Sequence, residues 1–318
     1  MKRQILIVAA AALMTLYAFT ALAAAPPRIN FATGGTTGIY FSLGGVIAQK
    51  LREKGVVDIT VQSTGASNEN VRLVDANEVP FGFTQTDIAY GAFNGIEPYK
   101  RKHENLTAVV ITHGEIIHAI ARAGIGVTKL EDLKGRKMSL GARGSGNEMN
   151  CRQIFPFFGL SSTYEDLRPV FLPYGESADQ FKDRQIDAFL FTFGMPHPVI
   201  MDITTTHDVT YLPIAGKQAD DIVAKFPYFV KTVIPAKTYN RQEADVPTLG
   251  MKAMIIAHKD TPADLVYTFL KGFFDNLEGI QASHSQAKET SLQKAMEGMT
   301  VPLHPGAAKY YKEKGLIK

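Results

Sequence analysis

Beyond residue 27 the chain alternates short runs rich in Val, Ile and Phe with stretches whose apolar residues recur at three and four, joined by polar Gly/Ser/Thr loops. This alternation demands an α/β fold, because parallel strands are joined only through long crossovers that helices supply. The spacing predicts strands over 28–32, 58–62 and 80–84. Helices follow each of them. The first carries Leu43, Val46, Ile47 and Leu51 on one face, the second covers 67–75 with Ser67 as cap and Asn70 at its third position, and Asp87 caps the third.

The same strand, polar loop and helix order then restarts. Strands are expected over 106–112 and 116–122, and again over 137–140, after which loop 141–146 enters a helix near Asn147 that Pro156 ends or kinks. A strand over 170–172, a helix over 176–184, a strand over 186–192 and a helix entered through Pro198 complete a second α/β half. A strand near Val209, an amphipathic helix ending at Phe226 and an extended stretch over 230–234 come next. The last eighty residues read as mostly helical, 262–277 included, and with too little sheet for a domain they are expected to return over the first half.

The start of the chain says where the protein works. Lys2 and Arg3 precede an apolar tract that ends in Ala21-Leu22-Ala23-Ala24-Ala25, the basic, apolar and small-residue parts of a secretory signal peptide. Residues 1–25 are therefore expected to be removed, after Ala23 or Ala25, with the rest periplasmic. The formal net charge of +3 falls to +1 once Lys2 and Arg3 are gone, too near neutral for a nucleic-acid binder. Cys151 is the only cysteine, so no internal disulfide forms, and among Met149, Ile154 and Phe155 it reads as a small core residue.

Two loops carry the functional signal. Thr33-Gly34-Gly35-Thr36-Thr37-Gly38 precedes the first helix of the first half, and Gly141-Ala142-Arg143-Gly144-Ser145-Gly146 precedes the first helix of the second. Ligands of open α/β sheets lie beyond the carboxyl ends of the strands, where helix N-termini offer free N–H groups and roughly half a unit of positive charge. Two such loops facing each other make a cleft for a small anion. Neither follows a phosphate-binding pattern: no lysine follows the glycines, and the dinucleotide spacing is missing. Ser145 lacks the nucleophile frame, since Arg143 and Asn147 stand where glycines are required. His113 and His118, five apart on a strand, point to opposite faces and make no metal pair, so neither a metal nor a cofactor is expected. Tyr40 and Tyr174, within polar loops, are candidates to close over a ligand, whereas Phe191 reads as core.

Thr33-Gly34-Gly35-Thr36-Thr37-Gly38-Ile39-Tyr40, Ser63-Thr64-Gly65-Ala66-Ser67-Asn68-Glu69-Asn70, Gln85-Thr86-Asp87, Asp132-Leu133-Lys134-Gly135-Arg136-Lys137, Gly144-Ser145-Gly146 and His304-Pro305-Gly306-Ala307 together resemble the TAXI-type substrate-binding proteins of TRAP transporters. The resemblance runs in order through nearly the whole chain. It implies a two-lobed periplasmic binding protein of the type II-like class, with two α/β domains joined by crossover strands that form a hinge. Lobe 1 would be 28–117 plus 232–318 and lobe 2 would be 118–231, with crossings at 117–122 and 231–236.

The resemblance further implies a monomer without catalytic chemistry that binds an amino acid or dicarboxylate, glutamate among them, and delivers it to the integral membrane subunits of a TRAP transporter. Contacts carried over are Gly35, Thr36, Tyr40, Ser67, Asn68, Gln85 and Asp87 from lobe 1. From lobe 2 come Gly144, Ser145 and Gly146, with Phe193 and Pro196 as a wall. The chain departs from the family at Thr37, Ile39, Ser42, Arg143 and Asn147. Arg143 is the departure with most chemical content, since a guanidinium beside a helix N-terminus can pair with a carboxylate. A ligand sensor that signals to a membrane receptor would use the same cleft, and an exported hydrolase using Ser145 is the third reading.

Overall fold

A computed structural model describes residues 26–96 and 98–318. The expected signal peptide, 1–25, lies outside the described residues. The first half is β1 (Arg28–Ala32), α1 (Ile39–Glu53), β2 (Asp58–Gln62), α2 (Ser67–Asp75), β3 (Phe81–Gln85) and α3 (Thr86–Asn94). Then comes β4 (Leu106–Arg122), a single strand of 17 residues. The second half is β5 (Lys137–Ser139), α4 (Gly146–Ile154), β6 (Arg168–Val170), α5 (Tyr174–Lys182), β7 (Ala188–Phe193) and α6 (Pro198–Thr206). Next are β8 (Val209–Tyr211), α7 (Gly216–Lys225), β9 (Val230–Ile234) and β10 (Val246–His258), and the chain ends in α8 (Ala263–Asp275), α9 (Leu277–Ser283) and α10 (Pro305–Glu313).

The strands join in the order β2-β1-β3-β10-β4-β7-β5-β6, with β8 on β4 and β9 on β10. Within this order each half has the same plan. In the first, β2, β1 and β3 are parallel and β10 lies antiparallel on β3. In the second, β6, β5 and β7 are parallel and β4 lies antiparallel on β7. The first strand of each half is its middle one, and the loop after it leads to α1 in one case and α4 in the other. The two similar α/β halves expected from the sequence are therefore present, and their glycine loops are equivalents.

β4 and β10 pair side by side from Ile116 with Gly250 to Leu106 with His258, and both continue into the second half. Beyond Ile116, β4 pairs with β7, and before Gly250, β10 pairs with β9. These long strands tie the halves together. Three expectations are corrected by them. The polar residues His113, Gly114 and Glu115 do not divide two strands, since β4 runs through them. The return crossing is β10, whereas the segment 231–236 begins in β9 beside it. The last eighty residues also contain β10, which the helical reading passed over.

Phe31, Phe81 and Phe83 of the first half are fully buried, and Phe269 of α8 stacks on Phe81 with ring centroids 4.7 Å apart. The C-terminal helices thus cover the first half, and each such ring contributes about 1.5–3 kcal/mol by burial. Cys151 is fully buried beside Ile154 and Phe155 in the core of the second half. α4 stops at Ile154, and Pro156 lies in the single turn of 3-10 helix that follows. Among the described residues no helix is long and apolar enough to cross a membrane, and no three His, Cys, Asp or Glu side chains form a metal-binding set.

Candidate functional site

Between the halves lies a cavity of about 590 Å³. Four helix N-termini reach it: Gly38, Ile39 and Tyr40 of α1, Ala66 and Ser67 of α2, Ser145, Gly146 and Asn147 of α4, and Pro173, Tyr174 and Gly175 of α5. The topology explains the convergence, because these helices follow the first and second strands of each half. The N-termini of α1, α2 and α5 carry no side-chain cap. Their first-turn N–H groups are left for a ligand or water, and their dipoles favour negative charge. α4 is capped by Ser145, whose Oγ accepts from Glu148 N at 3.2 Å.

The halves are closed over this space. A Cβ on Gly146 would lie 1.8 Å from Gln85 Oε1 and 2.9 Å from Ser67 Oγ, so only glycine lets the second half approach the first here. Farther out, Gly175 faces Thr37 across the mouth, with Thr37 Cγ2 3.1 Å from where a Cβ would stand. Behind the cavity Asn150 of α4 bridges the halves. Its Nδ2 donates to Asp87 Oδ2 at 2.7 Å, and its Oδ1 accepts from Gln85 Nε2 at 3.3 Å and Thr192 Oγ1 at 2.8 Å.

Of the residues expected to touch a ligand, Gly35, Thr36, Tyr40, Ser67, Gln85, Ser145, Gly146 and Phe193 line the cavity. Asn68, Asp87, Arg143, Gly144 and Pro196 do not. Asn68 Oδ1 accepts from the Tyr99 hydroxyl. Asp87 is buried in the first turn of α3 and held by Asn150. Arg143 is exposed, with its guanidinium 3.7 Å from the centroid of Phe171. Gly144 N donates to Glu148 Oε2 at 2.6 Å. Pro196 follows a cis peptide bond after Met195 and stands beyond Phe193.

The two cap assignments also change. α2 starts at Ser67 itself, after Ala66 in an unusual backbone conformation, and Ser67 Oγ accepts from Gln85 N at 3.2 Å. α3 has no side-chain cap, Asp87 being its second residue. Of the family departures, Thr37 and Ile39 line the cavity, and Asn147 lines it while its Nδ2 holds Leu140 O at 2.7 Å and Leu190 O at 2.6 Å. Ser42 bonds His284 Nε2 at 3.0 Å instead.

Sequence reasoning missed Glu115, Thr192 and Glu176, all three of which line the cavity. Glu115 sits at the middle of β4 with 4% of its surface exposed, and its Oε2 is buried without a hydrogen-bond partner. The Tyr40 hydroxyl is likewise unpartnered, its ring stacked on Phe83 at 4.8 Å. Tyr174, expected to close over a ligand, spends its hydroxyl on Thr192 O at 2.8 Å. Burial, helped by the charge of Asp87 and opposed by the nearby Gln85 amide and Tyr40 hydroxyl, raises the Glu115 carboxyl to about 8. Burial also raises Asp87 to about 7. A carboxylate inside an apolar strand was the available signal, since burying one without a cation is costly unless it has work to do.

His113 and His118 face different surroundings. His118 Nδ1 donates to Ile116 O at 2.9 Å and Nε2 accepts from the Tyr239 hydroxyl at 2.9 Å, which fixes one neutral tautomer. Burial lowers His118 to about 4 and His113 to about 3.

Comparison with known proteins agrees with this architecture. A solved structure described as a periplasmic transporter is 12% identical, with 92% of this chain aligned to 93% of that one at a TM-score of 0.55. The binding protein component of an ABC phosphonate transporter from Pseudomonas aeruginosa is also 12% identical, with 81% of this chain aligned to 79% of that one at a TM-score of 0.51. These likenesses show the fold, the two-lobed α/β fold of periplasmic binding proteins. Over residues 31–315 the sequence matches the NMT1-like family, and the chain belongs to that family.

Proposed function

We propose that this protein captures a small organic anion, an amino acid or a glutamate-like dicarboxylate, in the cleft and delivers it to the membrane subunits of a transporter. The observation that carries this reading is the convergence of four helix N-termini, two from each half, on one cavity of about 590 Å³ that holds unpartnered buried polar groups. A volume of this size suits a small molecule. The protein acts as a periplasmic monomer without catalysis, and Ser145 serves as a cap rather than a nucleophile. Lobe 1 is 28–117 plus the chain from Gly250 onward and lobe 2 is 118–249, hinged on the long strands β4 and β10.

The sequence resemblance favours a TRAP transporter, driven by an ion gradient, as the recipient. The Pseudomonas aeruginosa protein serves an ABC transporter, which makes an ATP-driven recipient the second reading. Uptake into vesicles bearing the cognate membrane subunits separates them: collapse of the ion gradient stops the first, and depletion of ATP stops the second. Capture itself is tested by a thermal-shift panel of carboxylates and amino acids. A ligand at a hundredfold excess over its dissociation constant adds ~2.7 kcal/mol of stability. No shift with any organic anion contradicts the reading.

A further inference from the structure

The charges around the cleft are one-sided. Among the described residues that line it there is no Lys, Arg or His, whereas Glu115, Glu176 and Asp179 are present. Glu176 and Asp179 are exposed, and Asp179 pairs with Lys182 at 3.2 Å. Glu115 is different, being buried on the central strand with Oε2 making no hydrogen bond. The closest imidazole nitrogen, His113 Nε2, is 3.9 Å from Glu115 Oε1, and that ring is held neutral by burial. Lys252 lies on β10 opposite Gly114 and lines a separate depression with Thr86 and Tyr228.

We infer that Glu115 sets the specificity of the cleft by receiving a positively charged nitrogen of the solute, which is therefore an ammonium-bearing carboxylate and not an amine-free dicarboxylate. This inference rests on the capture reading above. Helix N-termini suit one carboxylate, and their partial charges stand in for the missing cations. A second carboxylate brought to Glu115 would meet a buried acid with no cation between them, and one of the two would have to stay protonated. An ammonium group satisfies Oε2 and supplies the missing charge in the same contact. Tyr40 from α1, Gln85 and Asp87 from the end of β3 and the start of α3, and Tyr174 from α5 complete the surroundings, and none of them is a cation. Without a cation beside it the raised Glu115 carboxyl holds its proton near pH 7, and pairing with an ammonium releases that proton to solvent.

The test uses the mature protein purified as it is exported, together with Glu115→Gln. Small molecules released on denaturation are identified by mass spectrometry. The refolded, ligand-free protein is then titrated calorimetrically with matched pairs: L-glutamate and glutarate, L-alanine and propionate, L-leucine and 4-methylpentanoate. The released molecule is expected to carry an amine, and in any pair that binds, the amino acid is expected to be tighter by about a hundredfold. Glu115→Gln, folded by circular dichroism, should shrink that ratio to about threefold or less, the neutral amide giving up the charge-assisted part of the contact. A released ligand without an amine, a deaminated partner that binds as tightly, or a ratio unchanged in Glu115→Gln overturns the inference and leaves capture standing. A folded protein that releases nothing and binds no member of any pair overturns capture itself.

Discussion

Asn150 Nδ2 donates a 2.7 Å hydrogen bond to Asp87 Oδ2, and this contact joins the first helix of the second half to the third helix of the first. Both side chains are buried, and Asn150 also takes bonds from Gln85 and Thr192. Its removal leaves several polar groups unpartnered at once, at about 1–3 kcal/mol each. Asn150→Ala should therefore lower the stability of the closed protein by about 2 kcal/mol or more, read as a denaturation midpoint. Asn150→Asp should be worse at pH 7 and partly recover at pH 5, where one of the two facing carboxyls is protonated. An Asn150→Asp protein as stable as the parent at pH 7 would show that the bridge does not hold the halves.

Gly146→Ala tests closure from the other side of the cleft. The new methyl meets Gln85 Oε1 and Cδ, and Gln85 cannot move without losing its bond to Asn150. The variant should fold and lose about tenfold or more in ligand affinity, roughly 1.4 kcal/mol. Adding Gln85→Ala removes the two shortest contacts and leaves Ser67 Oγ at 2.9 Å, so Gly146→Ala should cost less affinity in the Gln85→Ala background than in the parent. Full affinity in Gly146→Ala by calorimetry would refute the close approach.

Arg143→Ala should change ligand affinity by less than about twofold, because its guanidinium lies over Phe171 outside the cavity. The stability cost should be about 0.5–1 kcal/mol, the range of an exposed cation–π contact. A large affinity loss would return Arg143 to the site.

The ligand-free protein should be most stable near about pH 6.5, the ordinary value of histidine. Below it the buried neutral histidines His113, His118 and His197 have lowered values, so the unfolded chain binds more protons and stability falls as pH drops. Glu115 and Asp87, raised to about 8 and about 7, hold protons that the unfolded chain releases from about pH 4 upward; the histidines outweigh this loss below about pH 6.5, and above it stability falls as pH rises to about 8. Glu115→Gln should flatten the alkaline limb of a melting-temperature profile and steepen the acid limb between about pH 4.5 and 6.5, where the parent carboxyl offsets part of the histidine effect. An alkaline limb of equal slope in the variant would mean that Glu115 does not titrate there.

The glycine loops were legible because they follow strands and precede amphipathic helices, and the equivalence of 33–38 and 141–146 follows from the repeated strand order. β10 was not legible. Its run Met251, Lys252, Ala253, Met254, Ile255, Ile256 and Ala257 has residues common in helices, and its strand identity comes from lying between β3 and β4. The break drawn at 113–115 failed for a related reason: polar residues inside a strand read as a turn, whereas here pairing with β10 carries the strand through. That misreading also hid Glu115. Asp87 entered the site through the family resemblance, whereas the first turn of α3 directs it away from the cavity toward Asn150.

Native mass spectrometry of the freshly exported mature protein tests the account most directly. A single small organic molecule should ride on the folded chain and leave on denaturation, and Gly146→Ala from the same host should carry less of it. A folded parent protein that carries nothing, and that no amino acid or carboxylate stabilises against heat, would contradict the cleft as a site of capture.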